Sequence, residues 1–147
     1  MSRSDLEPIT GPTVAFVTCP IRASLGVLGR KWSLHVLRAI AFGAPAGRAE
    51  ILAWRDGLAP RVLSRRLLEL QREGLIEKVA GARAGPEVKY RLTAKGRDVV
   101  PVLAALLRYG SLHHAGEVFA DRRPREIGKV FPGSERRGLR ELRSFGS

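Results

Sequence analysis

The stretch Ala59-Pro-Arg-Val-Leu-Ser-Arg-Arg-Leu-Leu-Glu-Leu-Gln-Arg-Glu73 decides how the rest of the chain is read. Leu63, Leu67 and Leu70 stand at i, i+4 and i+7, on one stripe of an α-helix. At about 100° per residue the opposite side carries Arg61, Arg65 and Arg72, with Ser64 and Leu68 at its margins. Pro60 suits a first helical turn, where its missing N–H costs no bond. The pattern predicts a helix from about Ala59 to Glu73 that buries leucine and presents arginine, as a major-groove helix must. Arg bonds guanine O6 and N7 at two points, Ser offers a short hydroxyl, and residues of the first two turns reach the base edges. Pro60, Arg61, Ser64 and Arg65 are therefore the candidate DNA-reading residues. A solvated basic helix face would look the same, so the flanking segments have to decide.

Upstream, Arg48 to Trp54 reads as a brief helical segment and Arg55-Asp-Gly-Leu-Ala-Pro60 as the turn after it, which together with the arginine-faced helix outlines a helix-turn-helix. Before that, Lys31 to Phe42 carries Trp32, Leu34, Val36, Leu37 and Ile40 in helical spacing, with Trp32 as an expected core anchor. Pro20 opens a first short helix with Ile21, Leu25 and Leu28 on one face, and Gly29 ends it.

Downstream, Leu75-Ile-Glu-Lys-Val-Ala80 and Val88-Lys-Tyr-Arg-Leu92 are strand-like runs on either side of a Gly-rich loop. A hairpin directly after the arginine-faced helix is a wing. Arg83, near the tip of that loop, is placed to meet a minor groove or a phosphate, and Arg48 and Arg72 are candidates for backbone contact. Thr93 is a good N-cap for a helix from Ala94 to about His114, interrupted by a possible kink or restart at Pro101. Val99 to Leu107 is apolar almost all round, so that helix needs two surfaces to cover it. Its own domain supplies one, and a second copy of the chain is the expected other. The fold class is thus mainly α with a small β-hairpin, a winged helix-turn-helix domain over 19–115, with an N-terminal arm over 1–18 and a basic C-terminal extension over 116–147. Short helices are expected in that extension around Arg125 and from Ser134 to Leu142.

Composition agrees with a polyanionic partner. The 147 residues include 26 Lys+Arg against 14 Asp+Glu, a formal charge of +12, and the pI is about 11.3. Nucleic acid leads and an anionic membrane surface is second. Arg far outnumbers Lys, which suits phosphate and guanine recognition and also fits a GC-rich coding sequence. No apolar run approaches the ~18 residues a membrane span needs, and the N-terminus lacks the features of a secretory signal, so the expectation is a cytoplasmic protein. The single cysteine, Cys19, excludes an intrachain disulfide and a multi-cysteine zinc site. His113, His114 and Glu117 form at most a weak metal pattern, better read as polar residues closing a helix. Ser64 and Cys19 have no evident base partner, so the expectation is a binding protein with no cofactor, not an enzyme. The alternative within that class is an RNA-binding or architectural protein, which the lack of clustered aromatics on one strand face disfavours.

The motifs Cys19-Pro20, Leu28-Gly-Arg-Lys-Trp32, Leu63-Ser-Arg-Arg-Leu-Leu-Glu-Leu70, Glu73-Gly-Leu-Ile76 and Val88-Lys-Tyr-Arg-Leu-Thr-Ala-Lys-Gly96, in this order and spacing, resemble the HxlR family of bacterial winged-helix regulators, relatives of the MarR type. The likeness runs from roughly Cys19 to Gly110. It implies a homodimer joined through the first and last helices of the domain, with paired recognition helices on a pseudo-palindromic double-stranded DNA operator. It also implies a redox or electrophile sensor at the cysteine before the proline, here Cys19, and so a small-molecule or electrophile effector. The chain departs from the pattern at Ala49, where an aromatic is common and its loss leaves a hollow for Trp54 or a ligand. It departs again at Ala59, a poor N-cap, and in lacking a second cysteine.

Overall fold

The computed structural model describes residues 11, 13–43, 45–54, 57–79 and 87–130. In chain order the elements are α1 (Pro20–Leu28), α2 (Ser33–Gly43), β1 (Ala46–Gly47), α3 (Arg48–Leu52), α4 (Pro60–Arg72), β2 (Ile76–Lys78), β3 (Lys89–Leu92), α5 (Ala94–Arg97), α6 (Val100–His113), α7 (Ala115–Val118) and α8 (Ile127–Val130). The small sheet is antiparallel in the order β1-β3-β2, with Ala46 opposite Tyr90 and Ile76 opposite Leu92.

The core forms where the helical stripes converge. Val36, Leu37 and Ile40 of α2 meet Leu63, Leu67 and Leu70 of α4, and Ile51, Leu75, Ile76, Tyr90 and Leu103 close around them. Burying a leucine side chain stabilises by roughly 1.5–3 kcal/mol, so the α4 stripe alone anchors the helix firmly against α2. The arginine face has no choice but to point away from that contact.

Two features depart from the sequence reading, and two more fix what it left open. First, α2 begins at Ser33 rather than Lys31, and Trp32 is not a core anchor. Its backbone is left-handed at φ 78, a costly conformation for a bulky residue, and its half-buried ring lies edge-on to His35 at 4.8 Å between centroids. The cause is a reversal at 30–33, pinned by Ser33 N–H on the Arg30 carbonyl at 3.1 Å and by Arg66 Nε on the Lys31 carbonyl at 2.7 Å. Second, the hairpin gains a third strand, β1, whose Ala-Gly pair is too short and too poor in β-formers to announce itself. Third, the helix expected over 94–114 with a kink or restart at Pro101 takes the restart and becomes two helices. Pro101 has no N–H for the Arg97 carbonyl and its ring would collide with it, so the chain turns at Asp98-Val99 and restarts at Val100.

Fourth, the part of the C-terminal extension that is described folds back on α6. Arg125 N–H bonds the carbonyl of the buried Ser111 at 3.3 Å, the Arg125 guanidinium lies 4.6 Å over the Phe119 ring, and it pairs with Asp121. That hydrogen bond from Arg125, with a second from the Arg123 N–H, holds the Asp121 carboxyl below its ordinary value of 3.8. The helix expected from Ser134 to Leu142 falls outside the described residues.

Two helices keep apolar faces uncovered. α1 buries none of its residues, leaving Ile21 and Leu25 exposed, and α6 exposes Val102, Leu106 and Tyr109 while Leu103 and Ala104 are buried.

Candidate nucleic-acid interface

Helix α4 is 13 residues long with Pro60 in its first turn. Leu63, Leu67 and Leu70 are 0, 2 and 0% exposed, whereas Arg61, Ser64, Arg65, Leu68 and Arg72 are all exposed. Among the described residues, no carboxylate lies within ion-pairing distance of Arg61, Arg65 or Arg72. By helical geometry Arg61 and Arg65 stand about 6 Å apart along the axis and Arg72 about 10.5 Å further on. The first two thus serve the N-terminal end of the helix, and the third its far end.

That N-terminal end is open. Ala59 supplies no side-chain cap, so the first N–H groups of α4 are available to an acceptor such as a phosphate oxygen. Ser64 Oγ donates back to the Pro60 carbonyl at 3.2 Å, which leaves its lone pairs free to accept; donating to a base edge requires the hydroxyl to turn away from that carbonyl. Arg48, at the start of α3, places Nη2 3.1 Å from the same carbonyl. Its half-buried guanidinium therefore sits beside the first turn of α4 with further N–H groups uncommitted.

The arginines of α4 divide by position on the wheel. Arg66 lies about 60° from Leu63, close to the buried stripe, and its side chain is only 13% exposed. Besides the Lys31 carbonyl it bonds Glu69 at 2.9 Å, and Glu69 takes Arg30 at 2.6 Å on its other oxygen. Arg66 and Glu69 therefore join α4 to the loop before α2 and are structural. The one trace of this role in the sequence is the i, i+3 spacing of opposite charges, and neither residue is among those the sequence singles out. Arg83 lies outside the described residues, between β2 and β3. The Ala49 side chain is exposed, and Trp54 packs at a tilt against Phe42, 5.7 Å between centroids, with the Arg38 guanidinium 4.1 Å from its ring centroid. His114 Nδ1 lies 3.5 Å from Glu117, and no group of three metal-ligating side chains occurs among the described residues. Cys19 is exposed, immediately before α1.

A short helix, a turn, a second helix with an unpaired arginine face and a following hairpin form a winged helix-turn-helix. The sequence model for HxlR-like helix-turn-helix proteins matches residues 27–117. The chain belongs to that family. An uncharacterized HTH-type transcriptional regulator of Synechocystis, sll1512, is 36% identical over 93 residues, covering 63% of this chain and 68% of that protein. Among solved structures, a MarR-family regulator from Porphyromonas gingivalis superposes with a TM-score of 0.56 at 25% identity over 67% of this chain and 96% of that one. The redox regulator HypR in its oxidized form gives 0.54 at 26% identity over 63% and 94%. This HxlR-like protein is accordingly a DNA-binding transcriptional regulator and not an enzyme, and no helix among its described residues is long and apolar enough to cross a membrane.

Proposed function

We propose that this HxlR-like regulator binds a pseudo-palindromic operator as a homodimer, with the first two turns of α4 in the major groove. Pro60, Arg61, Ser64 and Arg65 read or contact base edges, Arg48 and Arg72 hold the phosphate backbone, and Arg83 of the wing meets the adjacent minor groove or backbone. The observation that carries this reading is the exposed, unpaired arginine face of α4, directly opposite its buried leucine stripe. The uncovered apolar faces of α1 and α6 support the dimer, because a soluble chain leaves such faces open chiefly where a partner covers them. Two-fold symmetry then requires the recognition helices on one face of the DNA, about one helical turn of 34–36 Å apart or a multiple of it.

The test is binding to an operator selected from a DNA library, compared with random DNA at fixed salt. Arg61→Ala and Arg65→Ala should each cost about 1–3 kcal/mol on the operator and far less on random sequence. Equal losses on both DNAs would reduce these residues to phosphate contacts. We further propose that Cys19 gives the protein a response to oxidants or electrophiles. Its exposure at the head of α1, beside the uncovered apolar face, supports this, as does the structural likeness to a redox regulator. Diamide or a quinone should weaken operator binding by the wild type and spare Cys19→Ser; identical responses refute the proposal.

A further inference from the structure

A carboxylate joins the returning end of the wing to the start of α3. Residues 80–86 lead into Glu87, whose Oε1 accepts the backbone N–H of Ala49 at 2.8 Å, in the first turn of α3. The residue placed to cap that turn with its own side chain is Gly47, which has none. Its backbone is extended, with φ −100 and ψ −179, so its dihedrals do not demand glycine. A Cβ there would stand 2.8 Å from Glu87 Cδ and 2.9 Å from Oε1, so a side chain at 47 fits only with the Glu87 carboxylate swung aside. Lys89, opposite Gly47 in the β1–β3 register, pairs with Glu50 in the same turn of α3 and has Glu87 Oε2 at 4.0 Å. From the other side of that turn, Arg48 reaches the Pro60 carbonyl. The first turn of α3 therefore joins the end of the wing to the first turn of the recognition helix.

We infer that Glu87 is a positioning residue for DNA recognition, fixing the returning end of the wing against α3 so that wing and recognition helix engage one DNA segment in a set register. The inference rests on the proposed reading in which α4 and Arg83 both meet DNA. A carboxylate near a polyanion opposes binding by its charge alone, whereas this one also supplies the cap of α3.

Glu87→Gln and Glu87→Ala remove the same charge, but only glutamine keeps a carbonyl oxygen for the Ala49 N–H. Operator affinity, minor-groove hydroxyl-radical footprints and exchange of the Ala49 amide are measured for both variants, alone and combined with Arg83→Ala or Arg65→Ala. Glu87→Ala should bind about fivefold more weakly than Glu87→Gln, the equilibrium weight of one lost cap. It should also exchange the Ala49 amide faster and lose wing protection. Arg83→Ala should cost little in the Glu87→Ala background and its full amount in Glu87→Gln, while Arg65→Ala costs the same in both. Equal affinities of Glu87→Ala and Glu87→Gln, or an undiminished cost of Arg83→Ala without Glu87, would overturn the inference. Arg83→Ala without effect on wild type refutes the wing contact itself, and the comparison of the two Glu87 variants still decides the positioning role. If Glu87→Ala does not fold, Gly47→Ala, which displaces the carboxylate, carries the same comparison.

Discussion

Replacing Gly96 by alanine is expected to destabilise the protein, against the usual rule for a glycine inside a helix. Gly→Ala in a helix interior ordinarily stabilises by about 1 kcal/mol through backbone entropy. Gly96 is buried in α5, and a Cβ there would lie 2.0 Å from the Leu75 carbonyl oxygen, 3.0 Å from its carbon and 3.3 Å from Leu92 Cβ. The nearest atoms are backbone, so the helix itself must move. The same junction holds Thr93 N–H on the Leu75 carbonyl at 3.0 Å, Thr93 Oγ1 on the Gly74 carbonyl at 2.5 Å and the Gly96 N–H on Thr93 Oγ1 at 3.0 Å. Loss or stretching of two or three such bonds, at about 1 kcal/mol each, outweighs the entropic gain once the displaced packing is added. The net expected is a loss of about 2–4 kcal/mol, or about 5–15 °C in Tm for a chain of this size. The assay is thermal and urea unfolding by circular dichroism at one fixed protein concentration, because a dimer's Tm depends on it. A Gly96→Ala variant as stable as wild type or more so would refute the packing argument.

Arg66→Ala should cost about 1.5–3 kcal/mol, since it removes the bond to the Lys31 carbonyl and strands half of the largely buried Glu69 carboxylate; Arg30→Ala, with its side chain half exposed, should cost no more than about 1 kcal/mol, and urea titration of both separates the two roles. Leu67→Ala should lose about 2–5 kcal/mol of stability, whereas Leu68→Ala, 47% exposed on the arginine face, should leave unfolding nearly unchanged and act, if at all, on operator affinity. The depressed Asp121 carboxyl stabilises the turn onto α6 above its ordinary value of 3.8 and releases it as the pH falls through the lower folded value; the Arg123 amide resonance should titrate in that acid range in wild type and not in Asp121→Asn.

The arginine face of α4, the leucine stripe behind it, the turn before it and the hairpin after it were all legible in the chain, because helix and strand periodicities of 3.6 and 2 are written in consecutive residues. Local chemistry also announced the first helix from Pro20 to Gly29 and the cap at Thr93. What periodicity could not separate was the role of one arginine from another. Arg61, Arg65, Arg66 and Arg72 are chemically alike, and only the packing of α4 on α2 assigned Arg66 to the Lys31 carbonyl and Glu69 while leaving the others outward. The left-handed Trp32, the third strand at Ala46–Gly47 and the Glu87 cap on Ala49 depend on partners 35 to 44 residues distant, contacts that no local window contains. The sequence by itself determined the main helices, the two hairpin strands and the side that α2 and α4 bury, since those follow from the free energy of hiding a stripe of apolar side chains. The tertiary structure alone decided which charges are spent holding the fold together and which remain free for a partner, because an ion pair or a cap exists only where the folded backbone brings its two ends within reach.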